Sequence, residues 1–349
     1  MTENGIDPVR LDRLRAVLTQ EVEAGRLPGA VVAISRRGRA IAPMCVGRID
    51  PARETPMRSD VIFRIYSMTK PMVSVAALML MEEGRLQLAE PVEAYLPEFR
   101  PSQVCNGRNE FVALHRPITI YDLLTHTSGL VYADRGAPAA IQSAHAKAGL
   151  PGVPRDMTAE TFLTRLAQCP LAFQPGSCWG YGHSTDVLGI LIERLCGERL
   201  SQHLDRRIFK PLGLTDTAFQ VSASDLSRVA EPHPTDPLTG EPRVSPSHTF
   251  EATRTPALDS GGAGALSTAA DYLKFCGMLL GQGMIDGVRL LAPSSVRLMV
   301  SNHLSSRIAV PISPAEASFG SPGYGFGLGV GVRLEHGCAN VPGSPGDYY

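Results

Sequence analysis

An α+β fold is predicted by three features of the sequence: a hairpin pattern in the first fifty residues, a stretch of alternating glycine and apolar residues near the end, and capped helical runs between them. From about Pro8 to Ala24, Leu and Val alternate with Arg and Glu at helical spacing and stop at Gly25, as in a charged amphipathic helix. The apolar run Ala30 to Ser35, the turn text Arg36-Arg37-Gly38-Arg39 and a second run closing at Gly47 read as a β-hairpin. Met68 to Glu83 is a strong helical run ended by Gly84. From about Pro101 to Pro175, loops alternate with short helices. The text therefore predicts one domain over residues 1–349, with a helical and loop subdomain at about 85–260 inserted between sheet-forming ends. Thr185 to Cys196 is helical and stops at Gly197, and Thr268 to Leu280 is helical and stops at Gly281. Prolines and polar residues between Val221 and Pro256 predict an extended surface loop, and Tyr324 to Arg333 reads as a strand.

The bulk numbers exclude several function classes. A net charge of -1 over 349 residues predicts no nucleic-acid partner. No run approaches eighteen apolar residues, so no membrane span is expected. The seven cysteines are scattered with no C-x-x-C spacing, which argues against a metal site, a redox dithiol or a disulfide framework. With no apolar segment of the export type at the N-terminus, free thiols point to the cytoplasm. No cofactor is expected, and the composition leaves the oligomeric state open.

The chemistry begins at Ser67-Met68-Thr69-Lys70, the one place where a lysine follows a serine by three residues. With 26 serines and four lysines, chance supplies about 0.3 such pairs, so the spacing alone is weak. Pro71 strengthens it. A residue without an N–H is tolerated only in the first turn of a helix, so the helix must begin close to Ser67. Lys70 then lies one turn along on the same face, where a desolvated amine can take the serine's proton. Against this stands the plain alternative, a serine N-cap with a solvated lysine. The second segment, Pro175-Gly176-Ser177-Cys178-Trp179-Gly180-Tyr181-Gly182-His183, sets Tyr181 on a loop at a helix mouth. A phenol there can shuttle a proton beside an ammonium; equally, Trp179 and Tyr181 can simply pack the helix start.

Four ordered stretches carry a family resemblance: Phe63 to Lys70, Ile118 to Leu130, the Pro175 to His183 segment, and Ser260-Gly261-Gly262-Ala263-Gly264-Ala265-Leu266-Ser267-Thr268 followed by Asp271-Tyr272. In text and order they resemble class C β-lactamases and family VIII carboxylesterases, over nearly the whole chain from about Val9. The resemblance implies the β-lactamase/penicillin-binding-protein (transpeptidase-like) fold, an antiparallel sheet flanked by helices plus a mostly helical subdomain. It implies an acylated serine at Ser67, with Lys70 and Tyr181 as base and proton shuttle. Tyr132, Trp179 and His183 are expected substrate-binding residues, no metal is implied, and His126 is expected to be structural. The partner is a small-molecule ester or amide.

Two departures shape the expectation. Where class C β-lactamases carry an asparagine two residues after the tyrosine, this chain has His183, which tilts the expectation from β-lactamase to a serine carboxylesterase of small or medium esters. The chain also stops at Gly346-Asp347-Tyr348-Tyr349, just where the third motif of these families would begin. The C-terminal strands are thus expected to be missing, leaving an exposed sheet edge, a lost oxyanion-hole donor and low activity. A G-x-S-x-G elbow is absent. A β-lactamase or D-amino-acid peptidase, an acyltransferase, and an inactive fragment or non-catalytic relative remain the alternatives.

Overall fold

The computed structural model describes residues 5–101, 103–106, 110–135, 137–233, 250–304, 306, 308–309, 323–337 and 341–349. The chain divides into two compact units. One comprises Met1–Ile65, Phe209–Thr255 and Ala265–Val288, and the other Tyr66–Ile208, Pro256–Gly264 and Arg289–Tyr349. No helix among the described residues is long and apolar enough to cross a membrane.

In the first unit the expected N-terminal helix is Pro8–Glu23, capped by the Asp7 carboxylate, which accepts the Val9 N–H. The expected hairpin is present: Gly29–Val32 pairs antiparallel with Met44–Gly47, in a register that puts Val31 opposite Cys45. Its tip is a smaller ladder, Ser35–Arg36 with Arg39–Ala40. Arg37 and Gly38 turn it with φ of 53° and 75°, the double positive φ that matches strand twist in a two-residue turn. Ile62–Arg64 pairs antiparallel with Leu266–Thr268. Thr268 then caps the Ala269–Leu280 helix by accepting the Asp271 N–H. Ile62 and Leu266 enter a small core with Val229 and Ala252. Of the loop expected between Val221 and Pro256, residues 234–249 lie outside the described residues.

The second unit is built on the Thr69–Glu82 helix, buried continuously from Thr69 to Leu80. It is apolar on every side because it is enclosed, packing against the helices Ser184–Cys196 and Leu200–Leu204. Gly84, at φ 70°, ends it as expected. The helices Ile120–Thr125, Ala139–Ala148 and Ala159–Ala167 fill the region read as loop-rich. That region also holds a hairpin the pattern did not announce, Gln103–Cys105 with Phe111–Ala113; three-residue strands are too short to establish a period of two.

One element differs from expectation. Tyr324 to Arg333 is not one strand but two, Tyr324–Phe326 and Gly331–Arg333, folded on each other antiparallel. The reason lies at Gly329, whose φ is 86° and where a Cβ would stand 2.1 Å from Ser74 Oγ. Only glycine can turn the chain there while its backbone touches the Thr69–Glu82 helix. The last residues return beside this hairpin: Gly331 N–H donates to Tyr349 O at 2.9 Å, and Tyr349 N–H donates back at 3.1 Å. Among the described residues the strands form two-stranded pairs, all antiparallel where the register is defined.

Candidate active site

Ser67 sits in a short 3-10 turn, Tyr66–Met68, immediately before the Thr69–Glu82 helix. Tyr66 holds a φ of 42°, an uncommon conformation for a bulky side chain and one that marks a constrained entry into the helix. Pro71 occupies the third helical position, where its missing N–H leaves no bond unmade. Lys70, 1% exposed, lies one turn along. Its Nζ donates to Ser67 Oγ at 3.3 Å and to the Gly262 carbonyl at 2.8 Å. The same ammonium stands 4.4 Å from the centre of the Tyr181 ring and 5.7 Å from that of Tyr132. The solvated lysine of the plain alternative is therefore excluded.

Tyr181 is held by backbone pairing. Gly182 bridges Val131, with Tyr132 N–H on Tyr181 O at 3.1 Å and His183 N–H on Leu130 O at 2.8 Å. His126 supports it from one face: the two rings stack with centres 4.7 Å apart, and the Gly182 N–H donates to His126 Nδ1 at 3.4 Å. His126 itself closes the Ile120–Thr125 helix in the left-handed region. Complete burial, then the charge of Lys70, push its pKa well below the usual range, so it is neutral, in keeping with a structural role. Asp122 steadies that helix from below. Its buried carboxylate takes Arg116 in a fork at 2.6 and 2.9 Å, the Thr119 N–H at 2.8 Å and the Thr127 hydroxyl at 3.0 Å.

The three residues expected to bind substrate are all interior. Tyr132 packs edge-on against both Tyr181 and His183. Burial, then the charge of Asp186, raise its phenol well above the usual range, so it stays protonated. Trp179, 1% exposed, belongs to a cluster with Tyr132, Tyr181 and Phe326. His183, also 1% exposed, is enclosed by Tyr132, His145 and Phe162, and its Nδ1 faces Asp186 Oδ2 at 3.5 Å. Trp179 and His183 thus offer no surface to a ligand in this arrangement; their aromatic faces are used by the core.

Asp186, which the sequence reading passed over, lies fully buried in the first turn of the Ser184–Cys196 helix. Its Oδ1 accepts from Ser260 Oγ at 2.6 Å and from the Gly262 N–H at 3.0 Å. The available signal was a lone acid in Ser-Thr-Asp-Val-Leu-Gly-Ile-Leu-Ile, since buried charges are rare without partners.

The structure thus brings together a buried lysine, a half-buried serine one turn away and a tyrosine ring. The Beta-lactamase family profile matches residues 14–344. The chain belongs to the beta-lactamase family. It is accordingly an enzyme of the serine-hydrolase type and carries the β-lactamase/penicillin-binding-protein fold. Within the family it is 36% identical to Protein Rv1367c of Mycobacterium tuberculosis over 338 residues, 93% of this chain and 79% of that one. It is 35% identical to Esterase EstB of Burkholderia gladioli over 298 residues, covering 78% and 73% of the two chains. Among solved structures, EstCE1, a hydrolase with promiscuous acyltransferase activity, superposes with a TM-score of 0.78 at 31% identity, covering 96% of this chain and 86% of that one.

Proposed function

We propose that this member of the beta-lactamase family is a carboxylesterase that cleaves small or medium esters through an acyl-enzyme on Ser67. The observation that carries the reading is the contact of Lys70 Nζ with Ser67 Oγ at 3.3 Å in a buried setting, beside the Tyr181 ring. In the first step Ser67 Oγ attacks the ester carbonyl while its proton passes to the Lys70–Tyr181 pair. The Ser67 N–H, at the start of the helix, is available to the developing oxyanion. The returned proton lets the alcohol leave. Water then enters, gives a proton to the same pair, and releases the acid with Ser67 restored. Likeness to an esterase supports esters over β-lactams. A cytoplasmic location belongs to the same proposal and rests on Cys45, Cys105, Cys169, Cys178, Cys196 and Cys276 being free thiols.

A fluorophosphonate probe followed by peptide mapping tests the reading. The adduct is expected on Ser67 and absent from Ser67→Ala, with a p-nitrophenyl butyrate kcat/KM far above that for nitrocefin. An adduct elsewhere removes the nucleophile assignment, and comparable values for the two substrates remove the esterase assignment. A second reading, acyl transfer, is favoured by the likeness to EstCE1. It predicts that an added primary alcohol diverts the acyl group from acid to ester.

A further inference from the structure

Asp186 is the one acid in the buried stretch of the Ser184–Cys196 helix, and its carboxylate has no exposed surface. Removing a carboxylate from water costs several kcal/mol unless charge and hydrogen bonds answer it. A connected path does so and ends on Lys70. The Ser260 hydroxyl donates to Asp186 Oδ1 at 2.6 Å, and its oxygen accepts the Ala263 N–H at 3.2 Å. The carbonyl at the other end of that peptide group, Gly262 O, receives Lys70 Nζ at 2.8 Å. Carboxylate, hydroxyl, peptide and ammonium are therefore aligned so that each polarises the next. A second bond, from the Gly262 N–H to Asp186 Oδ1 at 3.0 Å, fixes the turn.

The glycines allow this approach. A Cβ on Gly261 would stand 2.4 Å from Thr185 O, and one on Gly262 would stand 2.6 Å from Asp186 Oδ2. Burial acts to raise the Asp186 carboxyl; His183, the Ser260 hydroxyl and the Lys70 charge outweigh it and hold the group below its ordinary range.

We propose that Asp186 is a positioning residue for Lys70: through Ser260 and the Gly262–Ala263 peptide it fixes the ammonium beside Ser67, and it supplies the buried countercharge. The proposal rests on Ser67 and Lys70 being the acylating pair. The surrounding charges are defined. Facing Asp186 are His183 from its own segment, Ser260 and Gly262 from the turn, Lys70 from the Thr69–Glu82 helix, and Tyr132. Around Lys70 stand neutral His126, protonated Tyr132 and the Tyr181 ring, with Arg135 over the two tyrosine rings, and His145 lies behind His183. Whether the base is the amine or the phenolate, its active form carries one less positive charge than its resting form. Loss of a neighbouring negative charge therefore eases deprotonation.

The test measures fluorophosphonate labelling of Ser67 and the pH profile of kcat/KM for p-nitrophenyl butyrate in the full chain, its Asp186→Asn variant and its Ser260→Ala variant, with circular dichroism to establish folding. Asp186→Asn is expected to label about tenfold to a hundredfold more slowly, with the acid limb of the profile moved down by about one pH unit. Ser260→Ala, which keeps the charge and breaks the path, should label more slowly with the acid limb in place. Wild-type rates in either folded variant overturn the proposal, as does a slow Asp186→Asn whose acid limb has not moved, because a merely structural carboxylate would give that result. If Asp186→Asn fails to fold, the Ser260→Ala rate decides. Failure of the wild-type chain to label at Ser67 defeats the functional reading instead, a separate outcome.

Discussion

Gly182, between Tyr181 and His183, is where a single methyl group should do the most damage to the site. A Cβ there would lie 1.9 Å from Leu130 O and 2.5 Å from Val131 Cα. These are backbone atoms with no rotamer to relieve the clash, and the two segments are joined by the Tyr132-to-Tyr181 and His183-to-Leu130 bonds. Gly182→Ala must therefore separate them by about 1 Å, a displacement that costs about a hundredfold in rate when it falls on a reacting group. Overpacking of this kind removes about 1–3 kcal/mol of stability, which lowers Tm by several degrees. The assay pairs a thermal melt with kcat/KM on p-nitrophenyl butyrate. Gly152→Ala serves as control, because a Cβ at Gly152 meets nothing within 4 Å. A Gly182→Ala variant with the Tm and kcat/KM of the parent would refute the argument that the Val131–Gly182 bridge sets the Tyr181 position.

Three further outcomes follow from the same geometry. Burial, and secondarily His183, hold His145 to a pKa of about 4 against an ordinary 6.5. The unfolded chain therefore binds more protons between these values, so stability is complete above pH 6.5 and falls by up to about 3 kcal/mol as pH drops toward 4. His126 acts in the same direction. Urea titrations across this range should show the slope, and His145→Gln should flatten it. Asp122→Ala strips one acceptor from Arg116, the Thr119 N–H and Thr127 together; it should cost about 3 kcal/mol and lower Tm, whereas a neutral result would mean that water replaces the carboxylate. Gly329→Ala, at φ 86° and against Ser74 Oγ, should be destabilising, and the double variant with Ser74→Gly should recover only the steric part.

How much of this was legible depends on the range of the forces involved. Helix ends were read closely because they are set by neighbours in sequence: Gly84 and Gly197 stand at φ 70° and 69° past their helices, and Pro71 located the start of the one bearing Lys70. The Ser67–Lys70 pair is also local, one turn apart on one helix, and so could be named from spacing. Tyr181 could be named only with the help of resemblance, because it lies on a separate segment. The split of Tyr324 to Arg333 into two strands was illegible, since the turn at Gly329 is dictated by Ser74, a residue distant in sequence.

The placement of His183 and Asp186 divides along the same line. A histidine after Tyr181-Gly182 reads from the sequence as a ligand-facing group, whereas Asp186 draws no role from its neighbours in sequence. Folding turns both inward: aromatic rings enclose His183, and the glycines at 261 and 262 let a remote turn reach the Asp186 carboxylate. The sequence by itself determined the helices ending at Ala24, Gly84, Gly197 and Gly281, the hairpin at residues 29–47 and the one-turn spacing of Ser67 and Lys70, all of which depend on short-range spacing and backbone sterics. The tertiary structure alone decided which buried polar groups surround Lys70, because an electrostatic partner is selected by distance in space and burial, and neither is encoded in separation along the chain.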